Sequence, residues 1–319
     1  MSTDTAFRRL ELTVQRRIDG IAQGDHQGLS LGSGSDPEEL VRYQPGHDVR
    51  RIDWNASARA GEPYVWLTRA EHALETWVLV DRSPSMAFGT TDVEKADVAA
   101  WTAAAIGLLT QGGGDRVGLG LVGVDGVRWL PPGAGRLAAR RVMRLPEADR
   151  DGTRNPDRDG TPTAPRDGAP TDLASAMTRL AAQAPRRGLR VIVSDLLDPD
   201  GAITGPFAWE RPLRKLAARH DVIVVEVLDP RELELPDVGE VLFVDPESGA
   251  QREVSTSDRR VRDAYAQGAA AHRVATAAAV RGTGSEHLVL RTDDDLARVL
   301  TRFVHRRHRM PARSTRRNR

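Results

Sequence analysis

Cysteine is absent from the 319-residue chain, which excludes disulfides, thiolate zinc sites and cysteine nucleophiles. No stretch approaches the roughly 20 apolar residues of a membrane helix. The opening MSTDTAFRRLELTVQRRIDG also lacks a signal-like apolar core, so the expected location is the cytoplasm. An excess of charge is missing as well: 46 Lys and Arg against 45 Asp and Glu leave +1, which argues against a wholly basic nucleic-acid binder. Acid is absent only locally, from HRRHRMPARSTRRNR at the C-terminus. Residues 307–319 read as a basic disordered tail. The glycine-rich stretches GSGS, GGGD and GAGR have neither the Lys-Ser/Thr of a phosphate loop nor a full dinucleotide fingerprint, so ATP binding is not expected.

At 34.8 kDa the chain has room for one large domain, or an ordinary domain with a smaller companion. Residues 8–23 carry apolar positions at helical spacing. The stretch 39–75 is dense in arginine and tryptophan, with Pro45-Gly46 and Gly61 as turns between short strands. Residues 1–74 are therefore expected to form a helix and a β-rich accessory segment in which Trp54 and Trp66 pack onto the larger domain C-terminal to it. The alternating charges Arg50, Arg51, Asp53 and Arg59 read as solvated or locally paired.

From Thr76 the pattern changes. TWVLVD, DRVGLGLVGV, LRVIVSDLLD, DVIVVEVLD and EHLVL are apolar runs of strand length, alternating with helical stretches at 94–110, 134–145, 172–183, 209–219, 257–280 and 293–306. Unbroken Val/Ile/Leu strands between helices mean an α/β domain over 75–306, its central mostly parallel sheet covered on both faces. Asp125-Gly126 marks a hairpin, and GEVLFVDPESGAQREV reads as another. Residues 147–170, rich in Pro, Gly, Asp and Arg, are expected to form a flexible insertion that protease cuts first.

Ligands of such sheets gather beyond the carboxyl ends of the strands. Two strands send polar groups there: VLVDRSPS presents Asp81, Ser83 and Ser85, and VIVSD presents Asp195. Thr171 offers a third hydroxyl, placed where a helix N-cap belongs. Carboxylates and hydroxyls are the ligand set of a hard divalent cation, Mg2+ or else Mn2+ or Ca2+, and not of zinc. Three hydroxyls and two acids leave an octahedral ion one open position, and largely neutral ligands keep it electrophilic toward a partner's carboxylate. Asp198, close behind, reads as a loop or cap residue.

The order D-x-S-x-S, then T, then D resembles the metal-ion-dependent adhesion site of von Willebrand factor A domains. Over residues 31–305 the chain is similar to the bacterial Domain of Unknown Function 58 family. VRYQPGHDVRRIDWNASARAGEPYV, GDRVGL and DPRELELPDVGEVLFVDPESG carry that likeness. The resemblance implies a Rossmann-like von Willebrand A fold acting with a MoxR-type AAA+ ATPase. It also implies an ion ligated directly by Ser83, Ser85 and Thr171, with Asp81 and Asp195 acting directly or through water. His47 departs from the family's usual acid, and the membrane helices that precede this region in many members are not seen here. An aspartate at a first strand end also suits a Mg2+-dependent phosphatase, but the general acid expected two residues on is replaced by Ser83. A nucleic-acid reading rests on the arginine tail alone and entails a steep salt dependence. An interaction module without catalysis is the expectation.

Overall fold

The computed structural model describes residues 39–45, 47, 49–67, 75–91, 93–110, 115–123, 126–144, 172–198, 200–244 and 250–309. The helix expected at 8–23, the insertion at 147–170, Thr171 and residues 310–319 of the expected tail lie outside the described residues, while residues 307–309 continue the last helix rather than opening a disordered tail.

Strands β1 (Glu39–Arg42) and β2 (Tyr64–Leu67) pair antiparallel. Between them the chain forms a helix, α1 (Trp54–Ala60), where turns and short strands were expected. The reason is local capping: the Asp53 carboxylate accepts from the Asn55 and Ala56 amides at 2.9 Å. Gly61, at φ 73°, closes the helix in the left-handed conformation that costs glycine least. Arg59 donates to the Asn55 carbonyl, so Arg59 and Asp53 are locally engaged, as expected of them. Trp54 is 71% exposed, which corrects the expectation that it packs this segment onto the sheet domain; the side chain of Trp66 is outside the described set. His47 accepts from the Gln44 amide and serves a turn.

The main sheet is built from β3 (Glu75–Asp81), β4 (Arg116–Gly123), β5 (Gly126–Gly133), β6 (Leu189–Ser194), β7 (Asp221–Leu228) and β10 (Glu286–Arg291), ordered β10-β7-β6-β3-β4-β5. All neighbours are parallel except β4 and β5, which form the expected hairpin. Side chains on a strand alternate between faces, and this sheet is buried on both. Val78, Val80, Val191 and Val225 meet α2 (Lys95–Leu109), α3 (Gly135–Met143) and α7 (Leu296–Arg309). Trp77, Leu79, Ile192 and Val224 meet α4 (Leu173–Gln183), α5 (Glu210–Ala217) and α6 (Arg259–Gly282). The expected α/β architecture is the one found.

Helix α2 lies at the centre of the first layer. Its Ala99, Ala100, Ala103, Ala104 and Ala105 are all buried, and small side chains let it sit close to the sheet on one side and α3 on another. Helix α4 is capped by Asp172, which accepts from the Ser175 amide at 2.7 Å; Asp172, not Thr171, holds the N-cap position. After β7 come a short 3-10 turn, Pro230–Glu232, and the antiparallel hairpin β8 (Glu240–Val244) and β9 (Gln251–Ser255). No described helix is long and apolar enough to cross a membrane.

Candidate metal site at the sheet switch point

From β3 the chain moves outward to β4 and β5, then returns to the other side of β3 to form β6. The strand order therefore reverses between β3 and β6, where crossovers depart in opposite directions and leave a crevice at the carboxyl edge. Asp81 is the last residue of β3, and Ser194 the last of β6. Their pairing comes from the register Val80 to Val193.

Each Asp81 oxygen is engaged. One accepts from the Ser83 amide at 2.9 Å and the other from the Ser194 hydroxyl at 2.6 Å. Pro84 then opens a 3-10 turn, Pro84–Ala87, whose fixed φ suits a first helical position. That turn brings the Ser83 and Ser85 hydroxyl oxygens within 3.0 Å of each other. On the β6 side, Leu196 is held at φ 59° and fully buried, its carbonyl accepting from the Trp209 indole. A leucine in the left-handed region is strained, and such strain collects where a side chain must be aimed; here the preceding residue is Asp195.

The site is more deeply set than its place at a sheet edge suggests. Asp81, Asp195 and Ser85 are 5%, 3% and 7% exposed, so replacing Asp81 by alanine would disturb the packing of the sheet edge as well as remove a candidate ligand. Burial, and then the neighbouring Asp195 carboxylate, push the Asp81 carboxyl up to about 6. Lys95, the first residue of α2, is fully buried with its ammonium 2.8 Å from Asp195 Oδ2 and also paired with Glu232 of the 3-10 turn. Burial opposes charging this amine, but Asp195 and Glu232 prevail and hold it above the ordinary lysine value. Burial raises the Glu232 carboxyl despite Lys95.

An acid whose folded pKa is raised binds its proton more tightly when folded. Its contribution is thus favourable at low pH and is lost as pH rises from about 4 to about 6. In EDTA, wild-type protein should lose up to roughly 3 kcal/mol relative to Asp81→Asn across that window and no more above it. Thermal unfolding at stepped pH checks this; parallel curves for the two proteins would refute it.

Of the five expected ligands, the structure brings together Asp81, Ser83, Ser85 and Asp195, while Thr171 lies outside the described residues. Among the described residues no group of three or more His, Cys, Asp and Glu side chains is placed to hold a metal, so a cation here depends on the hydroxyls. Their spacing fits one: adjacent ligands of an octahedral ion with bonds of about 2.1 Å stand about 3.0 Å apart, the separation seen between Ser83 and Ser85. Asp198 instead accepts from the Ala208 and Asp200 amides, the loop role expected of it. Sequence reasoning missed Ser194, Lys95 and Glu232. The available signal was a lone lysine opening an alanine-rich helix; its partners are 100 and 137 residues away.

The pattern of the family described as Protein of unknown function DUF58 matches residues 39–275, a span holding β3, β6 and every described residue of the site. The chain belongs to the DUF58 family. Its fold is the expected α/β arrangement, a mostly parallel sheet covered by helices on both faces. Uncharacterized protein Rv1480 of Mycobacterium tuberculosis is 45% identical over 308 residues, 95% of this chain and 89% of that one. Among solved structures, BatB from Bacteroides thetaiotaomicron is 12% identical with a TM-score of 0.42, covering 75% of this DUF58 chain and 100% of its own. The SpRpn10 VWA domain is 9% identical with a TM-score of 0.34, covering 72% and 94%.

Proposed function

We propose that this DUF58 protein is a non-catalytic protein–protein interaction module, an adapter or co-chaperone. One divalent cation, Mg2+ or else Mn2+ or Ca2+, is held by Asp81, Ser83, Ser85, Thr171 and Asp195 and takes a carboxylate of a protein partner as its remaining ligand. By family resemblance, the partner is a MoxR-type AAA+ ATPase or that ATPase's client. The observation that carries this reading is the pair of hydroxyls 3.0 Å apart beside a buried carboxylate, Asp81, raised by burial and by a second acid, Asp195. Two acids facing each other at a switch point are a place where a cation lowers the energy, and neutral hydroxyls leave that cation electrophilic.

Asp81→Asn keeps the shape of the side chain and removes its charge, so it tests the site better than alanine. Wild type and variant are used to capture partners from native lysate with Mg2+ and with EDTA. Capture of an AAA+ ATPase or its client by wild type in Mg2+ alone, with a drop of at least about ten-fold for Asp81→Asn or EDTA, is the expected result. Equal capture in all four conditions would discard the metal-dependent reading.

A further inference from the structure

Lys95 belongs to this site without being able to ligate a cation. A lysine among the alanines of a buried helix is costly unless its charge is paired. It is 0% exposed and reaches two carboxylates from separate strands: Asp195 beyond β6 and Glu232 beyond β7. Three segments that converge on the carboxyl edge of the sheet are thus joined at one ammonium. The second acceptor differs from the first in its exposure, since the Glu232 side chain is 24% exposed against 3% for Asp195. Glu232 is itself fixed by its turn, its other oxygen accepting from the Asp229 amide at 2.8 Å. Asp229 in turn accepts from Thr90 and Thr292, so Glu232 cannot drift from Lys95 without loosening a buried network.

We propose that Lys95 is the resident counter-cation of the metal site: it neutralises Asp195, shares its charge with Glu232, and thereby sets how strongly the site holds a divalent ion. This inference rests on the proposed metal-binding role of Asp81, Ser83, Ser85 and Asp195. Four charges are arranged so that Asp81 is the one carboxylate of the site without a cationic partner among the described contacts. The ion entering beside Ser83 and Ser85 meets an Asp195 already half-satisfied by Lys95. Its affinity is held down, and more of its charge is left for an acidic group brought by the partner. The same ammonium keeps Asp195 in position before any ion arrives, so that folding and ion binding are separate events. Glu232 tunes the balance: the more of the lysine's charge it takes, the more of Asp195 is available to the ion.

Opposite effects from two neighbouring substitutions test this. Mn2+ binding is measured by electron paramagnetic resonance of the free ion for full-length wild type, Lys95→Met and Glu232→Gln at fixed pH and ionic strength. Lys95→Met removes a positive charge beside the ion and should tighten Mn2+ binding by about ten-fold or more. Glu232→Gln removes a negative charge and turns Lys95 wholly onto Asp195, so Mn2+ should bind several-fold more weakly. Thermal unfolding gives a second readout: Lys95→Met should melt lower than wild type without metal and gain more from Mn2+, because the ion replaces the lost ammonium. A lysine that serves only as a strut predicts that both substitutions loosen the site and both weaken Mn2+ binding; that result, or an unchanged affinity in Lys95→Met, overturns the assignment while the metal site stands. If Lys95→Met does not fold, Lys95→Gln takes its place, tighter Mn2+ binding than wild type upholding the assignment and equal or weaker binding overturning it. Absence of Mn2+ binding from wild type and Lys95→Met alike overturns both the counter-cation and the metal site.

Discussion

Replacing Glu226 by alanine should lower the unfolding free energy by about 3–5 kcal/mol, the range found when one partner of a buried ion pair is removed. Glu226 interrupts the apolar run of β7, and its side chain is fully buried. One oxygen pairs with Arg273 of α6, and the other lies 2.7 Å from His287 Nε2 on β10. Burial, then Arg273 and Arg281, lower His287 to about 4, so at neutral pH it is an uncharged hydrogen-bond partner of the carboxylate. Arg273 is the charged one, and burial lowers its pKa without neutralising it. Alanine at 226 leaves that cation, whose side chain is 22% exposed, against the sheet with no carboxylate and only partial access to water. Urea unfolding measures the loss, and Glu226→Leu combined with Arg273→Met should recover most of it, because a well-packed apolar pair has no buried charge to satisfy. A loss below 1 kcal/mol for the single variant would show that the three groups do not act as a unit.

A single methyl group at Gly135 is expected to be almost as damaging. Gly135 is the first residue of α3, and it meets α2 where Gly107 faces it. A Cβ on Gly135 would collide with the Gly107 carbonyl oxygen and lie 2.8 Å from that of Thr110. These are backbone atoms inside a packed layer, so no side-chain rotation relieves the contact; α3 must move off α2. Overpacking of well-filled cores costs about 1–3 kcal/mol, and a backbone collision belongs at the upper end, about 3 kcal/mol for Gly135→Ala. The contact is reciprocal, since a Cβ on Gly107 would stand 2.8 Å from the Gly135 carbonyl oxygen. Once the helices have separated, the second methyl costs less, so Gly107→Ala with Gly135→Ala should fall short of the sum of the single losses. Calorimetric or urea unfolding of the three variants decides this, and an unaltered Gly135→Ala would mean that the two helices do not pack so closely in solution.

The parts of this protein that could be read from its sequence are those written in local periodicity. Continuous Val/Ile/Leu runs at β3, β6 and β7 exist because both faces of those strands are covered, and strands alternating with helices leave a parallel sheet as the simplest topology. Asp81, Ser83 and Ser85 were legible for the same reason: polar residues that end an apolar strand stand at the carboxyl edge, and the likeness to von Willebrand A domains gave that edge a purpose. Helix α1 was not legible. It spans seven residues, too few to show a period, and its start depends on the conformation of one aspartate. Trp54 was misjudged because aromatic character says nothing about which face of a short helix meets the domain.

Composition and pattern alone determined the α/β class, the strand ends that carry the candidate ligands and the lack of thiol chemistry. The tertiary structure alone decided the electrostatics. Lys95, Asp195 and Glu232 sit on three segments of the chain, as do Glu226, Arg273 and His287, and each trio meets only because the order β10-β7-β6-β3 lays those segments side by side. The depth of Asp81 was decided in the same way. Burial and through-space charge depend on distances between residues far apart in the chain, and no local pattern records them.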